Sequence, residues 1–287
     1  MLWENLREEE FDGAIEKSKG VCVVPIGCLE MHGQHLPVGT DTQTCYYIAK
    51  EAAKLEPVVV FPPQYFGDIT GLNMWKGGID LSLELRLRLL DELCSEIARN
   101  GFKKIMFLNG HGGNGFLSIF VKSCLHTKKD YMVLTRNDFV YGFSTIIKDL
   151  DAGERFPELT DEDIAYIRDF AANKYTWGHG CINETAIMNE INPEAVDMSR
   201  IDAVDGKNQR NTGHLTRKRI EINGDCGFWL LNFPNSFAGE HLEGANERIG
   251  KVILRKRIEY QAEACRLLKE DTEIFDMWMK NWGSENV

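Results

Sequence analysis

Apolar residues in this chain follow two rhythms. Val21-Cys22-Val23-Val24-Pro25-Ile26 is a continuous apolar run, the pattern of a strand covered on both faces. Val58-Val59-Val60-Phe61 is a second such run, stopped by Pro62-Pro63. Lys104-Ile105-Met106-Phe107-Leu108 and Met132-Val133-Leu134-Thr135 are the third and fourth. Between them the apolar positions recur at helical spacing. Residues 4–18 predict an amphipathic first helix. Asp41 to Leu55, with Tyr46, Tyr47, Ile48, Ala49, Ala52 and Ala53, predicts a second. Leu83 to Arg99 predicts a third, capped by Ser82 and ended by Asn100-Gly101, and a fourth runs to about His126. Strand, turn, helix in repetition predicts an α/β chain with a mainly parallel sheet.

The second half is less regular. Residues 137–178 carry Phe139, Tyr141 and Phe143 and then an acidic helix from about Thr160 to Asn173; they read as a lid-like excursion over a site. Residues 197–226 are polar and punctuated by glycine, a β-hairpin or extended arm. Phe228–Phe233 is apolar, Pro234 to Glu243 a loop, and Gly244 to about Lys269 a closing helix. Residues 1–287 read as a single domain. The net charge of −11 argues against nucleic acid and anionic membrane surfaces as partners. No apolar run reaches the ~18 residues of a membrane span, and Met1-Leu2-Trp3-Glu4-Asn5 lacks the basic and apolar regions of a signal peptide. The expected location is the cytoplasm. The eight cysteines show no CxxC spacing and read as buried thiols.

Three clusters carry chemistry. Between Glu30 and Asp41 lie one glutamate, two histidines (His32 and His35) and one aspartate, directly after the first strand. Imidazole and carboxylate are the ligand set of Zn²⁺, Mn²⁺ or Fe²⁺. The loop leaving a strand is where open α/β sheets place their sites. Asp41 opens a helix, so it can cap or coordinate. Asn109-Gly110-His111-Gly112-Gly113-Asn114 follows the third strand. His111 is a candidate ligand there, the rivals being a turn histidine or an anion-binding loop without the usual lysine. Trp177-Gly178-His179-Gly180-Cys181-Ile182-Asn183-Glu184 is the third cluster. Glu184 stands in a first helical turn, His179 is free for acid/base work, and Cys181 is a minor candidate nucleophile. A glycine-rich loop from Gln64 to Asp80, holding Trp75, is long enough to line a pocket.

In order and spacing the three clusters resemble the creatininase family of metal-dependent amidohydrolases, over most of residues 20–200. The resemblance implies a three-layer α/β/α fold with a mainly parallel central sheet, and one or two divalent ions. It also implies a homo-oligomer, a hexamer or trimer of dimers. Its metal ligands fall on Glu30, His32, Asp41, His111 and Glu184, with Asp41 bridging if two ions bind; the acid/base histidine falls on His179. Asn114, Trp75, Trp177 and His35 are the candidate substrate contacts, and Phe139 and Tyr141 candidate wall residues. Creatininase itself has glutamate at the position of Gly113, so creatinine is not the expected substrate. Members with His-Gly-Gly-Asn include formamidopyrimidine deformylases and peptidases of peptide-derived cofactor maturation. The stretch Leu72–Gly78 lacks the family's usual histidine, and Ile182 replaces a common glutamate.

The expected function is metal-assisted hydrolysis of a small polar cyclic amide, lactam or formamide. The ion would lower the pKa of water from ~15.7 toward ~7, Glu184 or Asp41 could take its proton, and His179 would protonate the leaving nitrogen. One alternative is hydrolytic C–C opening of a cyclic polyol ketone such as a dehydro-inosose. Another is a non-catalytic metal-binding assembly protein, which would predict damaged ligands; all five are intact.

Overall fold

The four apolar runs form one parallel sheet. The computed structural model describes residues 1–203, 205–215, 222 and 224–284. Its elements run α1 (Phe11–Ser18), β1 (Val21–Ile26), α2 (Thr40–Leu55), β2 (Val59–Val60), α3 (Leu83–Arg99), β3 (Lys104–Asn109), α4 (Phe116–Thr127) and β4 (Met132–Asn137). They continue with α5 (Phe143–Asp151), α6 (Asp161–Asn173), β5 (Trp177–His179), α7 (Ile182–Ile191), α8 (Cys226–Asn232), β6 (Ala238–Gly239), α9 (Glu247–Glu270) and α10 (Glu273–Trp282). The strand order is β2-β1-β3-β4, and β5 and β6 form a separate antiparallel pair.

The two-residue period of the strands divides the core. Val21 and Val23 of β1 and Met106 and Leu108 of β3 face one layer, built from α2, α5, α6, α7 and α9. Cys22, Val24, Ile26, Ile105 and Phe107 face the other, built from α1, α3 and α4. The fold is therefore a three-layer α/β/α sandwich. The chain leaves β1 toward β2 with α2 on the first face. It then crosses back to β3 and β4 with α3 and α4 on the second, as right-handed crossovers require when the winding reverses. The reversal puts the topological switch point between β1 and β3.

Three expectations change. Residues 4–18 are not one helix: 3-10 turns at Trp3–Asn5 and Glu8–Glu10 precede α1. Trp3 packs against Phe11, Phe61 and Phe102 at 5.0, 5.1 and 5.3 Å between ring centroids, which fastens this segment to the sheet layer instead. The segment 137–178 contributes Phe143, Ile146, Leu150, Ile167 and Phe170 to the first core layer, so most of it is framework. The arm read at 197–226 falls partly on residues 204, 216–221 and 223, outside the described residues; the described part holds a 3-10 turn at Met198–Ala203 and no strand. The sequence reading also stopped short of α10.

At the foot of the sheet the buried Lys104 ammonium donates to Leu268 O at 2.9 Å and to Asp271 O. It thereby caps the last carbonyls of α9 and ties that helix to β3. Among the described residues no helix is long and apolar enough to cross a membrane. Phe107 is fully buried and meets Phe120 edge-on at 6.0 Å. Phe107→Ala is expected to cost about 3–5 kcal/mol, read as a lowered urea midpoint with an unchanged m value.

Candidate metal centre and active-site cavity

The carboxyl edge of the sheet, at the switch point, gathers the chemistry. The ladder extends past the strands: Gly110 N donates to Ile26 O at 2.9 Å and Asp138 N to Asn109 O at 2.9 Å. The loops leaving β1, β3 and β4 therefore start side by side. Helix α2 begins directly above them, because Gly27 and Gly110 leave room. A Cβ on Gly27 would lie 2.4 Å from Thr42 N, and one on Gly110 2.7 Å from Asp41 O. This close approach sets Asp41 between His32 and His111.

Three imidazoles are fixed in the same way. His32 Nδ1 donates to Glu30 O at 3.2 Å, His111 Nε2 to Asp68 O at 2.8 Å and His179 Nε2 to Met31 O at 2.7 Å. A carbonyl only accepts, so each pinned nitrogen carries a proton and the other nitrogen turns toward the carboxylates. His32 Nε2 lies 3.0 Å from Asp41 Oδ1 and 3.8 Å from Glu30 Oε1. His111 Nδ1 lies 2.8 Å from Asp41 Oδ2 and 3.0 Å from Glu30 Oε1. His179 Nδ1 lies 3.6 Å from Glu30 Oε1, and its ring stacks on His32 at 4.1 Å. Glu30 is fully buried and has no well-aligned donor of its own: His111 Nδ1, 3.0 Å away, aims its bond at Asp41.

The charges follow from this packing. Burial opposes ionisation of Asp41 and Glu30, but the surrounding histidines outweigh it and hold both below the usual carboxylate range. Burial likewise opposes a charged His32, yet Asp41, Glu184 and Glu30 push it up to about 10. Glu184 moves the other way, raised first by burial and then by Asp41. Two carboxyl groups in one site are thus pushed apart.

These residues fit a metal. The donor atoms of Cys28, Glu30, Asp41 and His111 lie within 4.8 Å of one another, as do those of His32, Asp41 and Glu184, and those of Glu30, His32 and His179. Glu30, His32 and Asp41 each belong to two of these groups, and Asp41 turns one oxygen to His32 and the other to His111. A buried carboxylate without donors, ringed by imidazole nitrogens with fixed tautomers, is what a divalent cation completes.

A cavity of about 540 Å³ opens onto this centre, lined by Glu30, Asp41, His111, His179 and Glu184 and walled by Phe139, Trp177 and Trp229. Four expected contacts and wall residues do not line it. Asn114 is buried and holds the loop, accepting from Asp68 N at 2.8 Å and donating to Asn109 Oδ1 at 2.9 Å. His35 is buried against Phe237 and bonds Thr185 Oγ1 at 2.9 Å; burial, with His32 nearby, lowers it to about 4 and keeps it neutral. Trp75 packs on Cys28, Ile69 and Leu72. Tyr141 is core, its hydroxyl on Asp149 at 2.6 Å. Sequence reasoning missed Asp68, Asp138 and Arg257. Asp138 was signalled by its place one residue beyond β4, and Arg257 as a cation within the buried stripe Ile249, Ile253, Gln261 and Cys265. Cys181 sits at the N-cap of α7, its thiol pushed up to about 12 by burial, which disqualifies it as a nucleophile.

Residues 4–265 match the sequence model of the creatininase family, creatinine amidohydrolase. The chain belongs to the creatininase family. It is accordingly a metal-dependent amide hydrolase. The creatinine amidohydrolase of Pseudomonas putida is 22% identical over 199 residues, 67% of this chain and 72% of that protein. The mycofactocin precursor peptide peptidase of Mycolicibacterium smegmatis is 32% identical over 101 residues, 32% of this chain and 39% of that protein. A solved creatininase superposes with a TM-score of 0.67 at 19% identity, over 94% of this chain and 98% of that one. Solved creatininases include a zinc–zinc form and a manganese form. Divalent ions are the cofactor of this creatininase-family chain, and its buried donor groups are suited to them.

Glu30→Gln is expected to weaken zinc affinity by at least about 100-fold, measured by chelator competition, with an unchanged circular dichroism spectrum. In the metal-free protein His32 holds a second proton at neutral pH, and a ligating imidazole must give that proton up. Affinity should therefore rise with pH, about ten-fold per unit for each proton displaced. Zinc titrations from pH 6 to 8, with calorimetry in buffers of different ionisation enthalpy, count those protons.

Proposed function

We propose that this creatininase-family protein hydrolyses a small polar cyclic amide, lactam or formamide. Glu30, His32, Asp41, His111 and Glu184 hold the divalent ions in this reading, with Asp41 shared. The observation that carries it is His179. Its ring is stacked on His32 and lines the cavity, one nitrogen fixed by Met31 O, so it stands between the ion-holding groups and the space a substrate fills.

When bound, the ion supplies Lewis acidity, which acidifies water and polarises a carbonyl. The protein supplies the rest. Glu184 would take up the proton released by the attacking water where its carboxylate is not fully engaged as a ligand. His179 donates a proton to the departing nitrogen. Phe139 and Trp177 line the cavity and offer flat faces to a planar ring. Gly113 stands where creatininase itself has glutamate, and a Cβ there would lie 2.4 Å from His111 Nε2 and 2.6 Å from Asp68 O, so this loop has no room for that side chain, which supports a substrate other than creatinine.

A second reading, hydrolytic opening of a cyclic polyol ketone, is supported by Asp68, Thr70 and Asn183 in the same wall, which could bind several hydroxyls. The test is turnover by zinc- or manganese-loaded protein on hydantoin, lactams, formamides and polyhydroxylated cyclohexanones, with product analysis. Ring opening of hydantoin to its ureido acid or of a lactam to its amino acid, or formate release from a formamide, supports the amide reading, and turnover of the ketones alone replaces it. His179→Ala should lower kcat by about 10²–10⁴-fold with metal content per chain retained.

A further inference from the structure

Two groups in the cavity wall take no part in holding an ion. Asp138 leaves β4 on the same sheet edge as His111, and Arg257 comes from the inward stripe of α9. They are 1% and 5% exposed. Arg257 Nε donates to Tyr141 O at 2.9 Å, which fixes the plane of the guanidinium. Its Nη1 stands 3.7 Å from Asp138 Oδ1, beyond hydrogen-bond reach. Asp138 Oδ2 is enclosed and accepts no hydrogen bond. A structural buried pair closes at about 2.7–2.9 Å, often bidentately. This pair does not close. It leaves guanidinium donors unclosed beside a carboxylate that lines the cavity and whose inner oxygen, Oδ2, is sealed and unpaired, and buried polar groups are rarely left so.

We propose that Arg257 and Asp138 form a recognition clasp for a neutral substrate edge in which a carbonyl stands beside an N–H. Arg257 donates to the carbonyl oxygen and Asp138 accepts from the N–H. The inference rests on the cyclic-amide reading and names the edge by which that ring is held. With Asp138 ionised the pair is charge-balanced, so an anionic group drawn to Arg257 would meet Asp138, and a cation the reverse. Burial pushes the Asp138 carboxyl up to about 7, with Arg257 opposing and Asp41 and Glu184 adding. An N–H donor from the ligand favours its ionised form.

The probe is hydantoin, a neutral ring with carbonyls beside N–H groups, titrated into zinc-loaded protein while Trp177 and Trp229 fluorescence is followed. Wild-type protein should bind hydantoin at least about ten-fold more tightly than its N,N′-dimethylated form, since a buried acceptor is left unpaired by methylation. Asp138→Asn and Arg257→Met should each weaken hydantoin about ten-fold or more. In Asp138→Asn the penalty for methylation should shrink to within about three-fold. Arg257→Lys should fall between, because an ammonium keeps the charge without the fork. Zinc per chain and the melting curve establish that each variant is folded; if Arg257→Met is not, Asp138→Asn and the methylated ring carry the test. Hydantoin binding that is unchanged in both variants overturns the clasp and leaves the cyclic-amide reading standing. Zinc-loaded wild-type protein that binds hydantoin no better than its dimethylated form overturns the clasp, and one that binds and turns over no cyclic amide, lactam or formamide overturns both.

Discussion

A carboxylate that no hydrogen bond satisfies governs this molecule. Glu30 is fully enclosed and both its oxygens lack donors, although three imidazoles lie within 4 Å. Removing an isolated carboxylate from water is costly, so such an arrangement persists only where something completes it. Main-chain carbonyls of Glu30, Asp68 and Met31 fix one nitrogen of each ring and turn the other toward the carboxylates, where Asp41 takes the bonds of His32 and His111. The sheet edge, the glycines beneath α2 and the loop bonds of Asn109 and Asn114 all serve to keep that frustration in place. Arg86 extends the chain of support outward, pairing at 3.1 Å with Asp68, whose carbonyl in turn steers His111.

This frame also separates two kinds of carboxyl. Glu30 and Asp41 sit among cationic rings and stay ionised, while Glu184, at the first turn of α7, is lifted by burial and by Asp41. Groups of the same type are thereby assigned different work by position. The helix that carries Glu184 is anchored by α9, whose far end is held to the foot of β3 by Lys104, so the site is braced from both edges of the sheet.

Much of this was legible in the sequence because it depends on local order. Apolar runs of four to six residues specify strands, and β1, β3 and β4 lie where those runs place them, β1 and β3 buried throughout and β4 at Met132 and Val133. Glu30, His32 and Asp41 are close in sequence, so their convergence needs only a turn. What was not legible depends on long-range contacts. Asn114 and His35 carry the side chains of a binding site but spend them on Asp68, Asn109 and Thr185. The aromatic residues of 137–178 could have covered a site or filled a core; Phe143 and Phe170 are core, whereas Phe139 reaches the cavity. Arg257 became readable only once α9 was known to turn that face inward.

The candidate ion ligands and the residues that meet the far wall of the cavity lie on different elements. Glu30, Asp41, His111 and Glu184 come from the β1 loop, α2, the β3 loop and α7; Asp138, Arg257 and Trp229 come from the β4 exit, α9 and α8. The two sets can therefore diverge independently over evolutionary time. A lineage can remodel the β4 exit, α8 and one position of α9 while every ion-holding side chain stays where it was, so that one inherited hydrolytic centre serves successive substrates without being rebuilt.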